Sequence, residues 1–187
     1  MKNLTELVRE TALEAGAALV GFAPISRFEN APAEYNPKTI FPSMKTAIAL
    51  AFPQARGTLK AVEDGCYWQS YNCDSYWYLN EVEGPRVLRK TNMFLEEHGY
   101  TGVPIHNPFH PHKGRQIRED APWGPDGMVS LRTLGVAAGL GELGKSKIFM
   151  TPEFGPRQRV FGIFTDAELE PTPLFKGKVC DDCNLCV

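Results

Sequence analysis

Apolar side chains recur every three or four positions at the start of the chain. Leu4, Leu7, Val8, Ala12 and Ala15 share one helical face and Gly16 follows directly, which predicts an amphipathic helix from about Asn3 to Gly16. The pattern then changes to short, mainly apolar runs. Ala18 to Ala23 (ALVGFA) and Lys45 to Phe52 (KTAIALAF), closed by Pro24 and Pro53, predict two buried strands. Between them, Ile25 to Ser43 carries Pro32, Pro37 and Pro42 and reads as a surface loop, while Gln54 to Asp64 reads as a polar excursion. Helical spacing returns from Arg86 to His98 (RVLRKTNMFLEEH), with a stop at Gly99, and Tyr100 to Ile105 is a brief extended piece. Val129 to Ala137 (VSLRTLGVA) predicts a short helix stopped by Gly139. Ile148 to Thr151 and Arg159 to Thr165 predict two more strands, joined by a turn, Pro152 to Pro156, in which Gly155 is free to take positive φ.

Composition narrows the class. At 187 residues, 43% hydrophobic and 22% charged, the chain is an ordinary globular domain, or one domain with a short appendage. Its net charge of -2 argues against a broad nucleic-acid-binding face, so nucleic acid is not an expected partner. No window reaches the roughly 18 uncharged apolar residues of a membrane span, and the mixed charged and apolar N-terminus does not read as a secretion signal. A cytoplasmic location without membrane association is therefore expected. Five cysteines, three of them within seven residues, suit a reducing compartment and metal ligation better than a disulfide framework.

Gly139, Gly144, Lys145 and Ser146 satisfy the phosphate-loop pattern GxxxxGK[ST], and Gly139, Gly141 and Gly144 also satisfy GxGxxG. Both motifs require a strand before the loop and a helix after it, because a helix N-terminus holds the anion. Here a helix precedes the glycines, and Pro152 would interrupt a helix begun at Lys145. The glycines therefore serve either close packing of the chain or an extended cofactor surface. Cys66 to Tyr78 (CYWQSYNCDSYWY) holds four tyrosines and two tryptophans, a density that suits a wall for a planar cofactor or apolar substrate, or else a core or dimer interface. His106, His110 and His112 fall in a proline-rich loop that reads as a lid or binding loop, with a histidine metal site as the alternative. Asp126 either caps the helix near Val129 or donates a proton in a site, and capping is the expected role.

Cys180, Cys183 and Cys186 form CxxCxxC, the opening of the bacterial ferredoxin run, in which thiolates hold a 4Fe-4S cubane; zinc sites more often use separated pairs. The run ends three residues short of the position of a fourth cysteine, so the module reads as truncated.

The series AGLGELGK, TPEFGPR, FTDAELEP and CxxCxxC resembles the corrinoid-dependent reductases, namely reductive dehalogenases and epoxyqueuosine reductases. The resemblance implies an α/β (α+β) fold: a nitroreductase-like core of mixed sheet flanked by helices over residues 1–175, with the beginning of a ferredoxin-type module over 176–187. It implies that electrons pass from 4Fe-4S clusters to a corrinoid (cobalamin). Gly139, Leu140, Gly141, Gly144, Lys145, Thr151 and Pro152 would lie along the corrinoid, with Cys180, Cys183 and Cys186 as cluster ligands. The proton donor would be Asp126, by analogy with epoxyqueuosine reductases, or a tyrosine, as in dehalogenases. Tyr71, Tyr76 and Tyr78 are candidates for the latter, and Tyr76 is carried forward with Asp126. The implied partners are a small-molecule substrate and an electron-donor protein such as ferredoxin or flavodoxin, with a homodimer left open. The sequence lacks the twin-arginine signal of exported dehalogenases. Two other readings compete: an iron-sulfur electron carrier without catalysis, and a flavin-binding protein of the same fold.

Overall fold

Residue Asn3 starts the first helix with a reciprocal cap. Its side chain accepts a hydrogen bond from the Glu6 amide (2.9 Å), and the Glu6 carboxylate accepts one from the Asn3 amide (3.0 Å). This helix, α1 (Leu4–Ala15), ends at Gly16, whose φ of 124° suits only glycine well. The computed structural model describes residues 2–32, 35–107, 129–181, 183, 184 and 186. His110, His112 and Asp126 lie outside the described residues.

The sheet takes up the expected extended segments except Ile148 to Thr151, whose strand pairs instead with Glu142–Leu143 in a separate hairpin. β1 (Leu19–Pro24), β2 (Thr46–Pro53), β3 (Gly102–Ile105) and β6 (Gln158–Thr165) associate in the order β1-β2-β6-β3. The α/β class stands, but the sheet is narrower in kind than the mixed one expected, because every described pairing in it is antiparallel. Helices α2 (Arg56–Gly65), α3 (a single turn, Trp68–Ser70), α4 (Gly84–Glu97) and α5 (Leu131–Ala137) complete the framework with a small hairpin, β4 (Glu142–Leu143) and β5 (Phe149–Met150). The segment expected as a polar excursion is thus the helix α2. Thr58 is its one buried residue, so the sequence carries no apolar stripe to announce it.

The aromatic run enters a 13-residue π-helix, Tyr71–Glu83. Such helices are rare and tend to occur at functional sites. Tyr67, Trp68, Trp77 and Tyr78 are exposed, so most of these rings are not part of the core.

Strand periodicity divides the core in two. On one face, Ile48, Leu50, Phe52, Phe161 and Ile163 meet Val8 and Ala12 of α1 and Val87, Leu88 and Leu95 of α4. On the other, Ala23, Ala47, Ala49 and Phe164 meet Leu134 and Ala138 at α5. Here α5 lies close to the backbone: a Cβ on Gly21 would stand 2.4 Å from the Ala138 carbonyl oxygen, and one on Gly162 would stand 2.5 Å from Leu134. The cap of α5 is Ser130, whose side chain accepts from the Thr133 amide. The stop at Gly139 (φ 76°) and the turn at Gly155 (φ 58°) are as the sequence predicts.

Candidate functional site

At one end of the sheet, β2 finishes, β6 begins and β3 finishes. A cavity of about 670 Å³ opens there, lined by Gln54, Tyr71, His106, Arg132, Gln158 and Arg159 among its polar residues. Leu131, Ile148 and Phe149 supply apolar surface. The cavity is built from short pieces of several elements, each held by a specific bond.

Arg159 is the most tied of these side chains. Its Nε donates to the Ser75 carbonyl (3.2 Å), its Nη2 donates to the Tyr71 hydroxyl (3.1 Å), and its guanidinium carbon lies 4.6 Å from the centre of the Tyr76 ring. Gln54 also donates to the Ser75 carbonyl (3.2 Å), and the Ser75 hydroxyl shares a 2.6 Å hydrogen bond with Thr58. The π-helix therefore fixes a cation and an amide at the cavity through one carbonyl. Gln158 donates to the Phe149 carbonyl (3.0 Å) and receives the Thr151 hydroxyl at 3.3 Å, which ties β5 to the start of β6. Arg132 donates to the Lys147 carbonyl at the hairpin tip (3.0 Å). Burial holds the His106 imidazole below its ordinary pKa, against an opposing pull from Glu81, so the ring is neutral at pH 7.

None of Gly139, Leu140, Gly141, Gly144, Lys145, Thr151 and Pro152 lines this cavity. The glycines answer to the chain itself. A Cβ on Gly139 would come 2.2 Å from the Pro173 carbonyl oxygen, one on Gly141 2.0 Å from that of Met150, and one on Gly144 2.6 Å from the Met150 sulfur. Leu140 packs against the core beside α5. Thr151 is fully buried and reaches the cavity only through Gln158. Of the three candidate tyrosines, Tyr71 lines the cavity, while Tyr76 lies under Arg159.

The chain beyond β6 crosses the sheet as an irregular strap. Thr172 exchanges bonds with Phe22, donating its amide to the Phe22 carbonyl and accepting the Phe22 amide on its hydroxyl, both at 3.0 Å. Arg27 clamps the carbonyls of Ala137 (2.6 Å) and Thr172 (2.8 Å). This route delivers the cysteine segment to the hairpin. Glu142 accepts the amides of Val179 (2.5 Å) and Cys180 (2.7 Å), and Lys145 donates to the Asn184 side chain. Cys180 is half-buried, Cys183 and Cys186 are exposed, and all three are free thiols. The hydrogen bond from the Cys183 amide holds the Asp181 carboxyl below its ordinary pKa. Among the described residues, no three His, Cys, Asp or Glu side chains converge as a metal site. The donor set still fits three ligands of a cubane: soft thiols at two-residue spacings. The described residues contain no helix long and apolar enough to cross a membrane.

Sequence reasoning missed Arg132, Arg159, Gln54, Gln158 and Glu142. Only Arg159 left a signal, as a cation at the start of an otherwise apolar buried strand.

No family model matches the chain. Over 66 residues, 35% of the chain, it is 42% identical to the tetrachloroethene reductive dehalogenase of Desulfitobacterium hafniense. That match spans 12% of the relative's length. An epoxyqueuosine reductase solved with an epoxyqueuosine-modified tRNA-Tyr stem loop shares the fold over 96% of this chain and 50% of its own, with a TM-score of 0.60 and 18% identity. The catabolic reductive dehalogenase NpRdhA does so over 91% of this chain and 22% of its own, with a TM-score of 0.64 and 16% identity. The expectation that nucleic acid is not a partner is partly at odds with the first of these structures. The chain is thus similar in sequence to a reductive dehalogenase over one segment, and over nearly all of its length it has the fold of the reductive dehalogenases and epoxyqueuosine reductases.

Proposed function

We propose that the chain is the corrinoid-binding part of an iron-sulfur-dependent reductase and that the cavity is where the corrinoid and a small-molecule substrate meet. The observation that carries this reading is the 670 Å³ cavity, whose lining combines guanidinium, imidazole, amide and phenol groups with an apolar surface. A large planar ring with amide and phosphate substituents needs that combination: apolar contact for the ring and donors along its rim. Leu131, Ile148 and Phe149 suit the first role, and Gln54, Arg132 and Gln158 the second. When bound, a corrinoid supplies redox-active cobalt, and a 4Fe-4S cluster on Cys180, Cys183 and Cys186 supplies single electrons from a donor protein such as ferredoxin or flavodoxin.

The chain's own part in the chemistry is to hold a proton. Tyr71 is placed for it better than Tyr76, because Arg159 donates to its oxygen and leaves the phenol hydrogen free to point into the cavity. Tyr76 instead stacks under the guanidinium and supports it. Asp126 is the alternative donor that the family resemblance implies. The segment from Gly139 to Pro152 shapes the site through the hairpin and through the Thr151 bond to Gln158.

Anaerobic titration with hydroxocobalamin, read by absorption and equilibrium dialysis, tests the reading. Saturable binding is expected, weakened about tenfold in Arg132→Ala through loss of a charged donor. Tyr71→Phe should bind as the unaltered chain does. Absence of saturable binding overturns the corrinoid reading, and a parallel titration with flavin mononucleotide decides whether the flavin alternative replaces it.

A further inference from the structure

The hairpin β4–β5 faces two ways. Phe149 and Ile148 line the cavity, and Gln158 and Arg132 bond the carbonyls of Phe149 and Lys147 on that side. On the other side, one carboxylate oxygen of Glu142 accepts two consecutive amides, Val179 at 2.5 Å and Cys180 at 2.7 Å. Lys145 bonds Asn184, which stands between Cys183 and Cys186. Among the described residues, the cysteine segment has no helix or strand of its own, so its amides depend on such acceptors. The bond at Cys180 belongs to the first cysteine of the run.

We propose that Glu142 is a positioning residue for the cysteine segment, fixing the backbone of Cys180 to the same hairpin that lines the cavity. Lys145 fixes the far end through Asn184, so Glu142 and Lys145 hold the run as a pair. The purpose assigned to this anchor, presenting Cys180 as a cluster ligand at a set position beside the cavity, rests on the iron-sulfur reading. A further consequence concerns the electron. A carboxylate beside a cluster opposes the added negative charge, and amides engaged by Glu142 are withheld from cluster sulfur; both effects lower the reduction potential.

Two variants separate position from charge. Glu142→Ala removes the acceptor, whereas Glu142→Gln keeps an oxygen that can receive both amides and removes the charge. Hydrogen exchange of the metal-free chain under reducing conditions reads the anchor directly. The Val179 and Cys180 amides should exchange about tenfold faster in Glu142→Ala, as expected for loss of a charge-assisted bond, and should recover most of their protection in Glu142→Gln. The Phe161 amide in β6 serves as the folding control and should not change. After anaerobic loading with iron and sulfide, Glu142→Ala should hold less iron per chain, and Glu142→Gln should hold it at a higher reduction potential than the unaltered chain. Unchanged exchange at Val179 and Cys180 in Glu142→Ala overturns the anchor. Faster exchange with no iron bound by any form, including the unaltered one, supports the anchor and overturns the iron-sulfur reading instead.

Discussion

The two faces of the sheet are built on opposite plans. Under α1 and α4, large side chains fill the gap: Phe52 and Phe161 meet edge to face with ring centres 5.3 Å apart, and Leu50, Ile163, Val87 and Leu88 close around them. Under α5 the gap itself is nearly removed, because Gly21, Ala47, Ala49 and Gly162 let the helix settle against the strands. The first plan gives stability and leaves the distance between layers to the side chains. The second fixes the helix by backbone contact, which sets where Ser130, Leu131 and Arg132 stand at the cavity and where the strap passes Gly139. Stability and placement are thus divided between the faces.

Mutations on each face should break this division in different ways. Phe161→Ala removes a fully buried ring from the large-residue face and should cost about 3–5 kcal/mol, measured by denaturant unfolding. In the fraction that remains folded, ligand binding at the cavity should persist, because α5 does not rest on that ring. Gly21→Ala is the opposite test. In a strand interior, alanine is ordinarily the better residue by roughly 0.5–1 kcal/mol. Here the added Cβ would lie 2.4 Å from a backbone oxygen and 2.9 Å from Leu140, so α5 must move and the net change should be a loss of about 1–3 kcal/mol. Cobalamin binding should fall along with stability, whereas in Phe161→Ala it should not. Equal effects of the two variants on binding would erase the distinction between the faces.

The same division explains what could be read from the sequence. Large apolar residues at strand and helix spacing announce themselves, so α1, α4, β1, β2 and β6 were legible, as were the glycine stops at Gly16 and Gly139 and the turn at Gly155. The likeness to reductive dehalogenases and epoxyqueuosine reductases was legible too, from an ordered series of short motifs that no single motif would have carried. The placement face was not. Gly141 and Gly144 look like a cofactor surface in sequence, and what the sequence does not show is that each also makes room for Met150 of the same chain. The π-helix was hidden because its hydrogen-bond step departs from the 3.6-residue period by which helices are recognised. Gln54, His106, Arg132 and Arg159 are far apart in sequence and meet only because β2, β3 and β6 reach the same end of the sheet.

The smallest effect concerns pH and should localise to the cavity end. His106 follows β3 directly and lies at the cavity, where burial lowers its pKa in the folded chain; Glu81 pulls the other way with less effect. Because the unfolded chain keeps the ordinary histidine value of about 6.5, it binds a proton first as pH falls. The folded state therefore keeps its full advantage from neutral His106 above that value. The advantage declines as pH drops through about 6.5 toward the lower folded-state value, and below that it changes no further. His106→Gln should accordingly flatten the fall in stability as pH drops below about 6.5 while leaving pH 7 stability little changed. Protonation would also add a third positive charge beside Arg132 and Arg159, so hydrogen exchange near the end of β3 should respond to acid before the amides of Phe161 and Ile163 do. If the β6 amides open first, acid acts on the core face, and the cavity is not the part of this fold held in reserve for change.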